Sequence, residues 1–208
     1  MPIPSAEPAP RHPAPSFMVL PAEVRLEIYH HLLRLPPITP DESSAASRVS
    51  TAILRTSRLV HAESAAVLYS GNTFVAHPSL LAAFPRLRPW YAPVCAAAVL
   101  PRIRRFHLTV RLDRDPAFDR RRAAAAFSGA EVLEVRVVQS VFLGAGRENL
   151  RMLEDVRGVQ TVTVRGSTTG FEGYVRWLVR LMQSPLGTKA GILTPEEEGV
   201  AVETGTGT

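Results

Sequence analysis

Apolar residues recur at helical spacing near the start of the chain, between Leu20 and Leu35. Pro21 suits the first position of a helix, where its missing N–H would have no partner, and the helix should stop before Pro36. The apolar residues cover an arc of about 200° on a helical wheel, roughly twice what a helix at the rim of one core needs. We therefore expect this helix to contact its own domain on one side and a partner on the other.

A loop rich in Pro, Ser and Asp, residues 36–48, separates this helix from a second apolar stripe. The stripe runs from Val49 to Leu68 at helical spacing and predicts one long helix. Residues 72–75 then predict an extended segment, and the Pro-interrupted apolar stretch 79–100 predicts short helices packed on the core. The first hundred residues are therefore expected to be mainly helical.

Three segments in the second half alternate between apolar and polar residues, the pattern of a half-buried β-strand. They begin at Phe106, Leu133 and Gln160, a repeat of 27 residues, and helical segments, including one at residues 147–157, follow them. Strand–helix units of equal length imply parallel strands, with helices on one face of the sheet and the other face open. The period lies in the leucine-rich-repeat range, although the Leu/Asn consensus of that repeat is absent.

Both ends of the chain lack apolar periodicity, and six of the 18 prolines fall in the first sixteen residues. We expect disorder there, because such segments cannot bury enough apolar surface to offset chain entropy. The predicted fold class is α+β, an N-terminal helical module followed by a small parallel strand–helix repeat sheet of degenerate leucine-rich-repeat type. The predicted organisation is a disordered N-terminus (1–16), a helical module (17–100), a repeat region (101–186) and a disordered tail (187–208).

Charge and composition narrow the possible functions. The 208 residues include 24 basic and 19 acidic side chains, and only Lys189 among the basic ones is lysine. The excess charge is spread along the chain, which favours a solvated surface over a nucleic-acid patch. Cys95 has no second cysteine to pair with, and the longest apolar run, 92–100, is far shorter than the roughly 18–20 residues that span a bilayer. We expect an intracellular protein, cytoplasmic or nuclear, with no membrane partner.

The sequence contains no metalloprotease, nucleophile-elbow or Walker A motif. Gly144 and Gly146 lie between a predicted strand and a helix, as in a dinucleotide loop, but Asn149 stands at the third glycine position. Glu27 and His31 lie one helical turn apart and would supply only two metal ligands. We therefore predict no enzymatic activity, no cofactor and no metal, with a nucleotide-dependent enzyme as a weak alternative.

Polar side chains on the open sheet face fall into rows if adjacent strands pair with a 27-residue offset. The rows would be His107, Glu134 and Thr161; Thr109, Arg136 and Thr163; and Arg111, Val138 and Arg165. Guanidinium groups bind carboxylates and phosphates through paired hydrogen bonds, so such a face suits an acidic or phosphorylated peptide. A face that is polar only because it meets water is the alternative. The candidate partner-binding residues are Arg105, His107, Arg111, Glu134, Arg136 and Arg165.

Two sequence blocks resemble the F-box-like domains that are abundant in filamentous fungi. Residues 20–33, LPAEVRLEIYHHLL, are similar to the opening L-P-x-E-[IV]-R-x-x-I-Y of that family. Residues 53–74 are similar to its second block, L-L-R-T-C-R-x-x-x-x-E-A-x-x-x-L-Y-x-x-N-T-F, and residues 103–108 to its I-R-x-L-x-L strand. Ser57 stands where the family usually has Cys, and the Trp that closes an authentic F-box has no counterpart.

F-box proteins bind the Skp adaptor of a cullin–RING ubiquitin ligase and hold a substrate with a C-terminal repeat domain. The resemblance therefore implies a non-enzymatic protein-interaction module, a substrate receptor or scaffold, with an unknown protein substrate. It also implies an adaptor contact at Leu20, Pro21, Val24, Ile28 and Leu32. The alternative class is a nucleic-acid-binding module that uses the Arg-rich surface, which we favour less.

Overall fold

The computed structural model describes residues 16–39, 48–140 and 146–191. This part of the chain contains four α-helices, five strands and four short 3₁₀ helices. The α-helices and strands are α1 (Ala22–Leu33), α2 (Arg58–Gly71), β1 (Phe74–His77), β2 (Leu81–Arg86), β3 (Arg105–Arg111), α3 (Arg120–Phe127), β4 (Val132–Val138), β5 (Thr161–Gly166) and α4 (Glu172–Gln183). The 3₁₀ helices are Phe17–Val19, Thr51–Arg55, Leu100–Arg102 and Arg147–Leu153. The α+β class is confirmed, while most of the two predicted disordered ends lies outside the described residues.

The five strands form one sheet in the order β2-β1-β3-β4-β5. The pairs β1–β3, β3–β4 and β4–β5 are parallel, and β2 joins β1 antiparallel at one edge. The prediction of short helices at 79–100 is therefore wrong for β2, whose backbone groups pair with β1 instead. Pro85 is compatible with this strand because an edge strand has N–H groups that need no ladder partner. The sheet thus contains strands from both predicted regions: β1 and β2 lie within residues 17–100, and β3, β4 and β5 lie within residues 101–186.

The register between β3 and β4 is the predicted one, with His107 opposite Glu134. The register between β4 and β5 is shifted by two residues, so that Glu134 faces Thr163 and Arg136 faces Arg165. The β5 member of each predicted row is therefore wrong: Thr161, Thr163 and Arg165 do not lie beside Glu134, Arg136 and Val138. The crossover from β4 to β5 contains a 3₁₀ helix instead of an α-helix, and the two strand–helix units are not geometrically equivalent. A shift of two keeps every side chain on its predicted face, because side chains alternate with period two.

The predicted long helix at 49–68 is interrupted at Ser57. Ser57 has an extended backbone, and its hydroxyl accepts a hydrogen bond of 3.2 Å from the Val60 N–H. This is an N-cap, in which a serine oxygen satisfies an N–H group that has no partner within the helix. The segment before it, Thr51–Arg55, is a separate 3₁₀ helix that packs on α2.

One apolar cluster joins the helices to the sheet. Phe106 of β3 meets Phe127 of α3 edge to face, with ring centroids 5.5 Å apart. Leu133 of β4 and Leu178 of α4 have no exposed surface, and Tyr29 of α1 belongs to the same cluster. The alternation of the strands therefore assigns one sheet face to this core, as the sequence pattern predicts.

The side chain of Asn72 connects the ends of α1 and α2 just before β1. Its Nδ2 donates hydrogen bonds to the carbonyl oxygens of Leu33 (2.8 Å) and Leu68 (2.9 Å), and its Oδ1 accepts one from the Leu35 N–H (2.8 Å). Carbonyls in the last turn of a helix have no intrahelical partner, and Asn72 is only 2% exposed. The amide therefore satisfies groups that water reaches poorly and sets the direction in which the chain leaves α1.

We predict that Asn72→Ala lowers the free energy of unfolding by about 2–4 kcal/mol, because it leaves buried backbone groups without partners. Urea denaturation monitored by circular dichroism measures the change. Ser70→Ala is the matched control on the last turn of α2: its exposed hydroxyl donates only one long hydrogen bond, 3.4 Å to the Arg102 carbonyl, and its loss should change stability by less than about 0.5 kcal/mol. Equal denaturation midpoints for the two variants would contradict this role of Asn72.

Candidate functional site

Helix α1 buries one narrow face against α2. The buried residues are Arg25, Tyr29 and Leu33, which are spaced four apart and so lie one above another. The position of Val24 is about 140° from that of Tyr29 around the helix axis, at 100° per residue. The apolar arc predicted from the sequence is thus only partly buried within the described chain.

The residues that the resemblance assigns to adaptor contact lie on the shoulder of α1 and in the turn before it. Val24 is 44% exposed, Leu20 is 36% exposed and Pro21 is exposed, while Ile28 and Leu32 are half-buried. We call these five residues the helix surface. Met18 and Val19 of the preceding 3₁₀ helix add exposed apolar area beside it in sequence, with Val19 79% exposed. The geometry leaves this surface available, and adaptor contact there stays a prediction.

A polar cluster fixes the rotation of α1 and hence which residues form the helix surface. The guanidinium of Arg25 donates to both carboxylate oxygens of Glu63 on α2, at 3.1 and 2.6 Å, and to the Leu20 carbonyl at 2.7 Å. The Tyr29 hydroxyl donates to Glu63 at 2.8 Å. The hydrogen bonds from Arg25 and then Tyr29 lower the pKa of Glu63, and burial is the main cause of the raised pKa of Tyr29. The sequence analysis missed this cluster, although Arg25 and Glu63 both lie within the quoted blocks.

Two of the candidate residues on the sheet face, Arg105 and His107, are engaged with neighbouring carboxylates. Arg105 Nη1 lies 2.5 Å from Glu131 Oε1, and His107 Nδ1 lies 3.4 Å from Glu134 Oε2. His107 is only 9% exposed, in contrast to the open sheet face on which it was predicted to lie. These contacts occupy three of the six predicted partner-binding residues.

Arg111, a fourth candidate, is held at the end of β3. Its Nε and Nη2 donate to the two carboxylate oxygens of Asp113, at 3.2 and 2.7 Å, and Nη2 also donates to Ser140 at 2.9 Å. The Arg111 guanidinium lowers the pKa of Asp113, and the carboxylate raises that of Arg111. The two-residue spacing is a short-range signal that could have identified this pair from the sequence, whereas the Arg105–Glu131 pair depends on the sheet.

Arg136 and Arg165 are the two remaining candidates, and they lie side by side. They are register partners on β4 and β5, and adjacent strands are about 4.8 Å apart. Within residues 16–39, 48–140 and 146–191, neither guanidinium forms an ion pair or a side-chain hydrogen bond. Arg136 is half-buried and Arg165 is exposed.

Both arginines line a groove of about 730 Å³ on the sheet face that lies opposite the helical core. On its floor, Glu134 of β4 lies beside Thr163 of β5. Gly166 and Ser167 lie at its carboxyl end. The segment after α1 forms a wall and covers part of the face, so the prediction of a fully open face is corrected. We call this the sheet groove; its lining residues are Pro37, Ile38, Thr39, His107, Glu134, Val135, Arg136, Val137, Val138, Gln139, Thr163, Arg165, Gly166 and Ser167.

Two features fix the groove's shape. The buried guanidinium of Arg88 donates to the carbonyl oxygens of Pro36 and Leu87, and so holds the start of the wall. At the far end Gly166 has φ of +113°, and a Cβ there would overlap the Val137 carbonyl oxygen. Only glycine fits this close approach without a backbone shift, and it lets the chain turn so that the Ser167 N–H donates to Val137 O at 3.0 Å.

The other sites considered from the sequence gain no support from the geometry. In the part of the chain that the structure describes, no three His, Cys, Asp or Glu side chains are grouped to hold a metal ion, and no helix is long and apolar enough to cross a membrane. Gly144 lies outside the described residues. Gly146 precedes a 3₁₀ helix instead of the α-helix that a dinucleotide loop would need.

Comparison of the chain with protein-family models, with curated proteins and with solved structures found no match. The helix surface and the sheet groove are therefore interpreted from their own geometry and from the resemblance of the sequence blocks.

The Arg25–Glu63–Tyr29 cluster predicts a specific acid dependence of stability. The folded pKa of Glu63 lies below its ordinary value of 4.5, so its stabilisation is complete above that pH. It is lost as the pH falls from about 4.5 through the lowered folded pKa. Glu63→Gln should therefore lower stability at neutral pH and flatten the loss of unfolding free energy below pH 4.5.

Urea denaturation at a series of pH values between 7 and 2 measures this effect. Tyr29→Phe removes only the second hydrogen bond to Glu63 and should flatten the acid dependence partly. An unchanged slope for Glu63→Gln below about pH 4.5 would show that this carboxylate does not contribute.

Proposed function

We propose that this chain is a non-enzymatic protein-interaction module, a substrate receptor in a Skp–cullin–F-box ubiquitin ligase. In this proposal the helix surface binds the Skp-type adaptor and the sheet groove holds a second protein. The protein would work inside the cell and would need no cofactor. The N-terminal helices correspond to the F-box-like module and the strand–helix units to a degenerate leucine-rich-repeat-like region.

The exposed apolar shoulder of α1 is the observation that carries the proposal. Val24 stays exposed because Arg25 and Tyr29 bind Glu63 and turn their own face of the helix inward, and Leu20 is exposed in the turn before the helix. Contiguous apolar side chains on one helix face are typical of a helix that packs into a partner's groove. A few anchors of this kind supply most of the affinity of such an interface.

The contacts of the motif residues also support the proposal. Arg25 and Tyr29 come from the first block of the resemblance, and Glu63 and Asn72 come from the second. Each of them makes hydrogen bonds between α1, or its C-terminal end, and α2. The two sequence blocks, residues 20–33 and 53–74, therefore form one packed unit, which gives a physical reason for them to occur together.

A nucleic-acid-binding module, the alternative class, has less support from the geometry. Arg105 and Arg111 on the sheet face are ion-paired, and Arg120 of α3 pairs with Glu154. Paired guanidinium groups have less charge to offer a phosphate backbone. A steep fall of affinity with salt concentration would identify nucleic-acid binding.

We predict that Val24→Asp abolishes co-purification with the Skp-type adaptor or weakens it at least about tenfold, because it buries a charge at the interface. Val24 is exposed in the free chain, so the fold should be retained. Ala62→Asp, at an exposed position on α2, adds the same charge elsewhere and should bind like wild type. Full adaptor binding by Val24→Asp, with circular dichroism unchanged, would remove the support for this surface.

The single lysine gives a second prediction. Lys189 is exposed and follows α4, and ligase receptors are often ubiquitinated on lysine amines within their own complex. Arginine keeps the charge but offers no nucleophilic amine, since its pKa lies above about 12. Lys189→Arg should therefore restrict self-ubiquitination to the N-terminal amine and lengthen the cellular half-life, without changing adaptor binding.

A reconstituted ligase assay with the wild type and Lys189→Arg measures this effect. Blocking the N-terminal amine of the variant should abolish the remaining modification. Undiminished modification of the blocked variant, or none of the wild type, would argue against the receptor and favour a scaffold.

A further inference from the structure

The Arg136–Arg165 pair breaks a rule of strand pairing. Like charges directly opposite each other on neighbouring strands destabilise a sheet. The two residues are register partners, and no described carboxylate lies in an ion pair with either one. Exceptions to such local rules in folded proteins tend to occur at functional sites.

Among the described residues, the surroundings of the pair leave a charge of +2 without an ionic partner in the middle of the groove. Arg105 and Arg111 on the same face are neutralised by Glu131 and Asp113. Neither of those carboxylates belongs to the groove lining, and the carboxylate that does, Glu134, contacts His107. The middle of the groove therefore presents two guanidinium groups, and Thr163 and Ser167 line the same groove on β5 and just after it.

We propose that the sheet groove binds a phosphomonoester on an extended segment of a partner protein, with Arg136 and Arg165 holding the phosphate. This inference rests on the second surface of the proposed function. A phosphorylated Ser or Thr carries about −1.5 to −2 charges and three acceptor oxygens, which match two guanidinium forks. A single carboxylate would leave one positive charge uncompensated. Thr163 and Ser167 supply hydroxyl donors beside the pair.

The shape of the groove favours a protein segment over a free phosphate. Its volume of about 730 Å³ greatly exceeds the space that one phosphate needs. Pro37 and Ile38 give the wall an apolar part that can pack against residues flanking the phosphate. The floor runs along β4, so an extended chain fits its length.

The same groove disfavours a polyanion. Glu134 lies two residues before Arg136 on the same strand face, about 7 Å away at the usual strand rise. A second phosphate placed along the floor would approach this carboxylate and be repelled. The arrangement thus suits one phosphate on a peptide better than a nucleic-acid backbone.

Peptide binding to the full chain tests the proposal. The probes are three fluorescent peptide pools with degenerate flanks and a fixed central phosphoserine, serine or glutamate, together with inorganic phosphate and a single-stranded oligonucleotide. Fluorescence polarisation should show the phosphoserine pool bound at least about tenfold more tightly than the serine pool, with glutamate between them. Inorganic phosphate should compete only weakly.

The variant Arg136→Ser/Arg165→Ser should lose at least about tenfold in affinity for the phosphoserine pool. Arg55→Ser/Arg121→Ser removes the same charge at exposed positions outside the groove and should bind like wild type. Arg136→Lys/Arg165→Lys should fall between, because lysine keeps the charge but loses the paired hydrogen bonds. The melting temperature of the groove variant should stay equal or rise, because a like-charge pair is removed.

Four outcomes would overturn the proposal: equal binding of the phosphoserine and serine pools, equal loss in the two serine variants, competition by inorganic phosphate at the affinity of the peptide, or tighter binding of the oligonucleotide. Adaptor binding is measured on the same variants and should not change. Phosphopeptide binding without adaptor binding would support the groove assignment and contradict the ligase role. Adaptor binding with no preference for the phosphoserine pool over the serine pool would support the ligase role and contradict the groove assignment.

Discussion

The amide of Asn72 is the contact on which the rest of the structure depends. It binds the last carbonyls of α1 and α2 and the N–H of Leu35, and β1 begins two residues later. One buried side chain therefore joins the ends of the two helices beside the start of β1 and holds the chain where it leaves α1, at residues 33–35. Because Arg88 then holds Pro36, the same path becomes the wall of the sheet groove. The helical part and the sheet groove are thus parts of one packed arrangement.

The Arg25–Glu63–Tyr29 cluster acts on the rotation of α1 in a similar way. A helix with an apolar arc of about 200° could bury several different faces, and hydrophobic burial alone does not choose among them. The ion pair makes the choice, because turning Arg25 away would leave Glu63 without its main partner. Val24 remains exposed as a consequence. The docking surface in our proposal is therefore set by a polar interaction.

The candidate groove depends on a two-residue detail of strand register. With equal 27-residue units, Arg165 would have lain beside Val138 and apart from Arg136. The 3₁₀ helix Arg147–Leu153 in the crossover and the glycine turn at Gly166 accompany the observed pairing, which brings the arginines together. Ion pairs with Glu131 and Asp113 neutralise the other arginines of this face. The site is thus distinguished by two arginines that have no ionic partner among the residues that the structure describes.

The sequence by itself determined the α+β class, the three alternating strands, the faces of their side chains and the approximate positions of α1 and α4. These follow from periodicity, which local sterics and burial impose on each element separately. It did not determine β2, the break at Ser57, the β4–β5 register or the partners of Arg105 and His107. Strand partners, crossover geometry and ion pairs depend on groups far apart in the chain, whose distances exist only after folding. The tertiary structure alone therefore decided that Arg136 and Arg165 stand together, because a spacing of 29 residues carries no local signal of contact.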